Sequence, residues 1–374
     1  MTMREGTRRR VAFLVRALAW AVAIGAVFGA ASGSGSLDAP LLGACLGSMA
    51  GTINAAVLAI AVLGPEVFLP RTRLGRALEQ LPFLVTFAVK VLAYGAVIVL
   101  LVKGRLGWHV VGAIAALWLG PDLTSAIFAQ TAPTPTVIAN AFLLTASAVF
   151  VLQMSRLVGE RTLRDIALGR YHRSRTEERF FLFIDVIGST PLAERIGSDA
   201  VHRFLSEVFQ LASDPIDDHR GDVYQYVGDE IVVTWTVTEG RDGARPVACF
   251  FAIEEVLARA APEFERKFGA VPRLRGALHG GSVIAGEVGG SRRAIVYHGD
   301  VMNTTSRIEN ATRDLKRSFL VSEDAFKRID GKEAYIFKDL GPQQLRGREV
   351  LVRVYSVEPA ANVPGSSAGG LVDE

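Results

Sequence analysis

The chain has 374 residues, half of them apolar, with 41 Lys and Arg against 38 Asp and Glu, a net charge of +3 and two cysteines. That length predicts more than one domain, and the charge is too weak and too scattered for a nucleic-acid partner. Cys45 and Cys249 fall in different regions, which excludes a disulfide framework and a zinc knuckle and suits a reducing cytosol.

The apolar excess lies before about Leu157. Four runs, Val11–Ala31, Leu41–Leu63, Pro82–Val102 and Val137–Leu157, each reach the roughly 20 residues that cross a bilayer. A fifth, Trp108–Ala129, is broken by Pro121 and Asp122 and reads as interfacial or re-entrant. Arginines 4, 8, 9 and 10 precede the first run, Arg71, Arg73 and Arg76 follow the second, and Arg156, Arg161 and Arg164 follow the last. All three flanks are cytosolic only if the number of spans is even. Residues 1–157 are therefore expected to form a multi-span α-helical membrane domain of about four helices, with a cytosolic N-terminus, in the inner or plasma membrane. Membrane lipid is its expected partner. The first run has the outline of a signal peptide, but its core is long and further spans follow. Lys90, inside the third run, reads as a packing or snorkelling lysine. His109 is the only histidine of this half, so one chain cannot hold a heme there between two histidines.

Residues 158–178 form a polar, basic linker in which Gly169 suits a helix C-cap. Its leucines keep no heptad, and a solvated connector and a rigid coupler fit it equally.

From Arg179 to residue 358 strands and helices alternate. Phe180–Ile184 is a strand-like run ending at Asp185, Ile187–Thr190 is a turn, and a helix is expected through Leu211. Asp222–Val227 and Ile231–Thr236 read as a hairpin across Gly228–Asp229–Glu230. A helix over about Gly243–Lys267 and strands near Arg273–Leu278 and Ser282–Glu287 complete a βαββαβ order, an α+β ferredoxin-like unit. Residues 359–374, rich in Ala, Gly, Ser and Pro, are expected to be a disordered tail.

Two carboxylates stand out. Asp185 closes the first strand and Asp229 sits on the hairpin tip, so neighbouring strands would bring both to one sheet edge. Two carboxylates with triphosphate oxygens suit Mg²⁺. Gly188, Ser189 and Thr190 open a helix, where free N–H groups hold phosphate.

The segment Phe183–Thr190 resembles the metal motif of class III adenylate and guanylate cyclases, and Tyr226–Glu230 resembles their second metal motif. Arg275–Gly281 is similar to the family's arginine–glycine–histidine–glycine strand, Gly299–Arg307 to its most diagnostic segment, and Leu345–Arg346–Gly347 to its late leucine–lysine–glycine element. The motifs keep the family's order across the soluble half. The resemblance implies a class III cyclase catalytic domain, adenylate cyclase chemistry, and two Mg²⁺ or Mn²⁺ ions per site held by Asp185, Asp229 and the Val186 carbonyl. It implies that Asn303 orients the ribose, that Arg307 stabilises charge on the α-phosphate, and that Arg275 and Arg346 hold phosphates. It further implies a homodimer, because in this family the aspartates and the asparagine–arginine pair come from different subunits.

At the base-selecting positions the chain departs from the family. Gln225 stands where adenylate cyclases have lysine, and Val296 where they have aspartate or threonine. Guanylate cyclases commonly carry glutamate and a small polar residue, so neither pattern is met. ATP is the expected substrate, with GTP or mixed specificity as the alternative. A catalytically silent membrane receptor is the reading from another class. It is disfavoured because both the aspartate pair and the Asn303–Arg307 pair are intact. His279 is expected to be structural, and Glu230 to be solvated or to support the metal ligands.

Overall fold

The computed structural model describes residues 81–103, 135–290, 293–346 and 350–360, with scattered helical positions between 19 and 60. The chain divides into two compact units whose boundary falls at Glu160 and Arg161.

In the first unit α1 (Phe83–Lys103) and α2 (Pro135–Val158) pack through Phe87, Val91, Tyr94 and Val149. Gly95 marks their close approach, since a Cβ there would lie 2.7 Å from the Phe142 ring. Leu84, Leu92, Leu143 and Leu157 are exposed. Counting the described residues alone, no helix is long and apolar enough to cross a membrane. The described side chains of α1 end at Val97. Apart from scattered positions, the expected spans Val11–Ala31 and Leu41–Leu63 lie outside the described residues, as do Trp108–Ala129 and the tail beyond Ala360.

The second unit begins with α3 (Glu160–Ala167). Gly169 follows it at φ 62°, and the N–H of Arg170 returns to the Asp165 carbonyl at 2.9 Å, closing the helix in the left-handed manner that glycine permits. α3 is docked rather than solvated. Arg161 Nη1 donates to Glu239 Oε2 at 3.1 Å, and Asp165 is buried.

β1 (Arg175–Val186) starts four residues before the expected boundary. Its first residues are charged and mostly exposed, which hid the strand, but they pair with the far end of β4. The elements that follow are α4 (Ser189–Ile196), α5 (Ser198–Asp218), β2 (Asp222–Val227), β3 (Glu230–Thr236), the short α6 (Val237–Gly240) and α7 (Arg245–Phe268). After them come β4 (Leu274–Val288), β5 (Ala294–His298), α8 (Asp300–Asp314), β6 (Phe319–Ser322), α9 (Glu323–Arg328), β7 (Tyr335–Gln343) and β8 (Val352–Pro359). The single helix expected after Thr190 is two, because Gly197 adopts φ 85° between them.

Among the described residues one sheet has the order β2-β3-β1-β4-β6-β8-β7, with β5 paired to β4 outside that path. The portion β2-β3-β1-β4 is antiparallel throughout, and its crossovers α4–α5 and α7 complete the ferredoxin-like unit. Residues along β1 alternate between two cores. Phe180, Leu182, Ile184 and Val186 join Phe204, Val208, Phe250 and Leu257 of α5 and α7. Phe181 and Phe183 join Tyr297 of β5 and Val301 of α8.

The two strands expected near Arg273–Leu278 and Ser282–Glu287 are one continuous strand. The glycines between them do not turn the chain. They make room, because a Cβ on Gly280 would lie 2.9 Å from the buried Phe180 ring and one on Gly281 2.9 Å from Val301. Gly280→Ala should therefore destabilise the fold by about 1–3 kcal/mol, as overpacked cores do. Thermal unfolding followed by circular dichroism measures this, and an unchanged midpoint would mean that Phe180 has room to turn.

Candidate active site

The register of β3, β1 and β4 sets Glu230, Asp185 and Arg275 side by side across three strands. Asp185 shares its strand face with Phe181 and Phe183, so it turns toward α8 and away from α5 and α7. Gly228, at φ 61°, turns the β2–β3 tip and puts Asp229 before β3. The Val186 N–H donates to the Asp229 carbonyl at 3.3 Å, tying this tip to the end of β1. The Ser189 hydroxyl, at the start of α4, donates to Asp229 Oδ2. Gly188 caps that helix at φ 78°, and its first N–H groups have no acceptor within the helix.

α8 packs over the sheet with one buried stripe, Val301, Thr304, Thr305, Ile308, Glu309 and Thr312. Glu309 is 4% exposed and accepts from Arg275 Nε at 2.7 Å. Arg275 Nη2 sits against Asp185 Oδ2 as an ion pair. Among the described residues no other hydrogen-bond donor reaches this buried oxygen. Arg313, in the last turn of α8, lies 3.9 Å from the same oxygen.

Burial pushes the Asp185 carboxyl up to about 6, with Asp229 adding to the rise and Arg275 opposing it. Burial first, then Glu309, Asp185 and Asp229, push Glu230 up to about 7. Four carboxylates thus share two guanidiniums, and Arg313 is 56% exposed. This excess of carboxylates over guanidiniums fits a divalent cation with oxygen ligands. The four do not converge on one point. Among the described residues no cluster of three or more His, Cys, Asp or Glu forms a metal cage. Asp185, Asp229 and the Val186 carbonyl would need further oxygens from a bound molecule or water.

The remaining expected residues divide into groups. Asn303 and Arg307 lie one turn apart on α8, outside its buried stripe, and neither pairs with a side chain of the carboxylate cluster. Asn303 is not the helix cap, which is Gly299. Val296 pairs with Gly286, eleven positions along β4 from Arg275, or roughly 35 Å of extended strand. A β-bulge between Val223 and Gln225 puts Gln225 opposite Val232, on the α8 side of the sheet, where it is exposed. Arg346 is exposed in the turn after β7, beside the buried Leu345. One chain therefore brings together Asp185, Asp229, Val186, Gly188, Ser189, Thr190 and Arg275, and leaves Asn303, Arg307 and Val296 apart from them.

Arg275, expected on phosphate, also pairs with Asp185 and Glu309 in the single chain. Glu230, given a solvated alternative, is half-buried among carboxylates. His279 is buried, with Nδ1 2.7 Å from Ser322 Oγ, which in turn accepts from the Ala325 N–H and caps α9. Glu309 and Arg313 were missed. Glu309 could have been found, since it is a lone charge at a buried helical position, two residues past Arg307.

The adenylate and guanylate cyclase catalytic domain family matches residues 172–358, and the chain belongs to that family. It is 36% identical over 236 residues to adenylate cyclase 2 of Rhizobium meliloti (strain 1021), covering 63% of this chain and 65% of that one. It is 28% identical over 200 residues to adenylate cyclase 1 of the same organism, covering 50% and 29%. The chain thus spans less than two thirds of either relative. The crystal structure of the adenylyl cyclase CyaB from P. aeruginosa is similar at 19% identity with a TM-score of 0.45, covering 51% of this chain and 98% of that one.

Proposed function

We propose that this protein is a membrane-anchored adenylate cyclase that converts ATP to cAMP and pyrophosphate at sites shared between two copies of the chain. The observation that carries this reading is the separation just described. The carboxylates gather at one sheet end under α8, while Asn303 and Arg307 face away from them on the same helix. A two-fold dimer can set the outer face of one α8 against the carboxylates of its partner and form two equivalent sites.

In the reaction the ribose 3′-hydroxyl loses its proton to solvent as its oxygen bonds to the α-phosphorus, the bridge to the β-phosphate breaks, and pyrophosphate leaves. Asp185, Asp229 and the Val186 carbonyl would hold Mg²⁺ or Mn²⁺, two per site, which when bound neutralise phosphate charge and lower the pKa of the attacking hydroxyl. Asn303 orients the ribose and Arg307 opposes charge on the α-phosphate. Ser189 holds Asp229 in place, and the first turn of α4 and Arg346 offer donors to the phosphates. Because the reaction is intramolecular, alignment and charge stabilisation supply most of the acceleration.

ATP is favoured by the names of the relatives. Gln225 carries both a donor and an acceptor and can face adenine or guanine, and Val296 offers shape alone, so mixed specificity is the second reading. Anchoring is supported by the apolar residues that α1 and α2 turn outward, a surface stable in lipid and costly in water. The catalytic unit would then lie on the cytosolic side of the inner or plasma membrane.

Purified full-length protein in detergent, given Mn²⁺ or Mg²⁺ with ATP or GTP separately, is expected to form cAMP. cGMP would overturn the substrate. No product from a dimeric sample would leave the silent receptor. Resistance of the chain to alkaline carbonate extraction tests the anchor.

A further inference from the structure

Arg179 is out of place by burial. It shares the face of β1 that carries Phe181 and Phe183, and it is 3% exposed. A guanidinium so enclosed is a poor source of stability, since an apolar side chain in its place often serves as well or better. Its contacts are directional instead. Nη1 donates to Glu177 Oε2 at 2.9 Å, and Nε donates to Thr234 Oγ1 at 3.1 Å. Thr234 is held in turn by donating to the Phe180 carbonyl at 2.9 Å, and Glu177 by the Tyr171 hydroxyl at 3.1 Å. Fixed from two sides, the guanidinium carbon stands 4.6 Å from the centre of the buried Tyr297 ring, a cation–π contact.

The Tyr297 ring continues the chain of contacts, with its centre 5.1 Å from that of Tyr224. Among the described residues β2 is hydrogen-bonded to β3 and β5 to β4, so β2 and β5 share no edge. The two tyrosines are a side-chain bridge between them. Tyr224 is the extra residue of the β2 bulge and packs on the same core as Tyr297. Gln225 follows Tyr224 in the chain and Val296 precedes Tyr297. Each position given to the nucleobase above is therefore the neighbour of one end of this bridge.

We infer that Arg179 is a positioning residue for nucleobase recognition: by holding the Tyr297 ring against Tyr224 it fixes the spacing between Val296 and Gln225. The inference rests on the shared-site reading above and on the place that reading gives the nucleobase.

The test uses dimers of two differently tagged full-length chains, one carrying Arg307→Ala and the other Asp229→Ala. One working site remains, with its carboxylates from the first chain and Arg307, Gln225 and Val296 from the second. Arg179→Met, which keeps much of the volume and loses the cation, is then placed on either chain. On the second chain it should raise the KM for the preferred nucleotide about tenfold, the scale of one desolvated cation–π contact, and lower the preference over the other purine. The kcat and the Mn²⁺ requirement should change much less. On the first chain the KM should not move. A shift from the first chain, or none from the second, would overturn the inference, since a merely structural arginine weakens whichever chain carries it.

Binding is read separately on homodimers by calorimetry with Mn²⁺. Of 3′-deoxy-ATP and 3′-deoxy-GTP, which cannot cyclise, the one that the parent binds more tightly should bind Arg179→Met about tenfold more weakly. Pyrophosphate, which has no base, should bind both proteins alike. An equal loss of nucleotide and pyrophosphate makes Arg179 a structural residue only. Should Arg179→Met fail to fold, Tyr297→Leu carries the same test, because it removes the ring and leaves the Arg179–Glu177 pair. Where both variants fold, the double variant should be no worse than either alone, and additive losses would separate Arg179 from Tyr297 and overturn the inference. If the parent mixture makes no product, the shared site fails, and the comparison of nucleotide with pyrophosphate still decides the role of Arg179.

Discussion

Asp229→Ala should abolish cyclic nucleotide formation while leaving the fold intact. The loss should be about three orders of magnitude or more, the several kcal/mol that metal-assisted charge stabilisation contributes. The fold should survive because Asp229 sits on a hairpin tip, outside both cores, and its carboxylate is held by the Ser189 hydroxyl alone among the described residues. Losing one such hydrogen bond costs about 1 kcal/mol. The substitution also removes a negative charge that raises the Asp185 pKa. Product formation and thermal unfolding, measured on the same sample, separate the two effects. A variant that keeps a tenth of the parent rate would remove Asp229 from the metal-binding role.

Mixing Asp229→Ala chains with Arg307→Ala chains should restore activity that neither has alone. Each heterodimer keeps one intact site of two, and random pairing makes half of the dimers mixed. The recovered rate should therefore approach about a quarter of the parent rate. Arg307 lies outside the buried stripe of α8 and makes no ion pair among the described residues, so its removal should not disturb the helix. A mixture that stays silent although exchange of chains is demonstrated would mean that each site is built within one chain. The geometry of a single chain argues against this, because Glu309 and Arg307 leave α8 on opposite sides.

Much of the cyclase unit is legible in the sequence. The run Phe180–Asp185 shows a strand with a carboxylate at its end, and Gly228–Asp229 shows a tip that carries a second. What the sequence hides has physical causes. A pair of glycines normally signals a turn, and Gly280–Gly281 instead clears space for Phe180 and Val301, which only the packed structure reveals. The first residues of β1 are charged and look like linker, yet they pair with the far half of β4. Alternation alone would have put Gln225 on the same face as Val223. The bulge between them reverses that, and nothing local in the sequence marks it. That Asp185 and Glu309, far apart in sequence, converge on Arg275 is likewise visible only in the folded chain.

The length of β4 has a consequence for how such a protein can change over time. One unbroken strand carries Arg275 near its start and Gly286, the partner of Val296, near its end. If Val296 faces the nucleobase, as proposed above, chemistry and base choice occupy opposite ends of one stiff beam within each chain. A replacement at Val296 would then alter what the nucleobase meets without touching the carboxylates of its own chain. A lineage could in that way drift between purines by exchanging side chains at one end while each chain keeps its carboxylates.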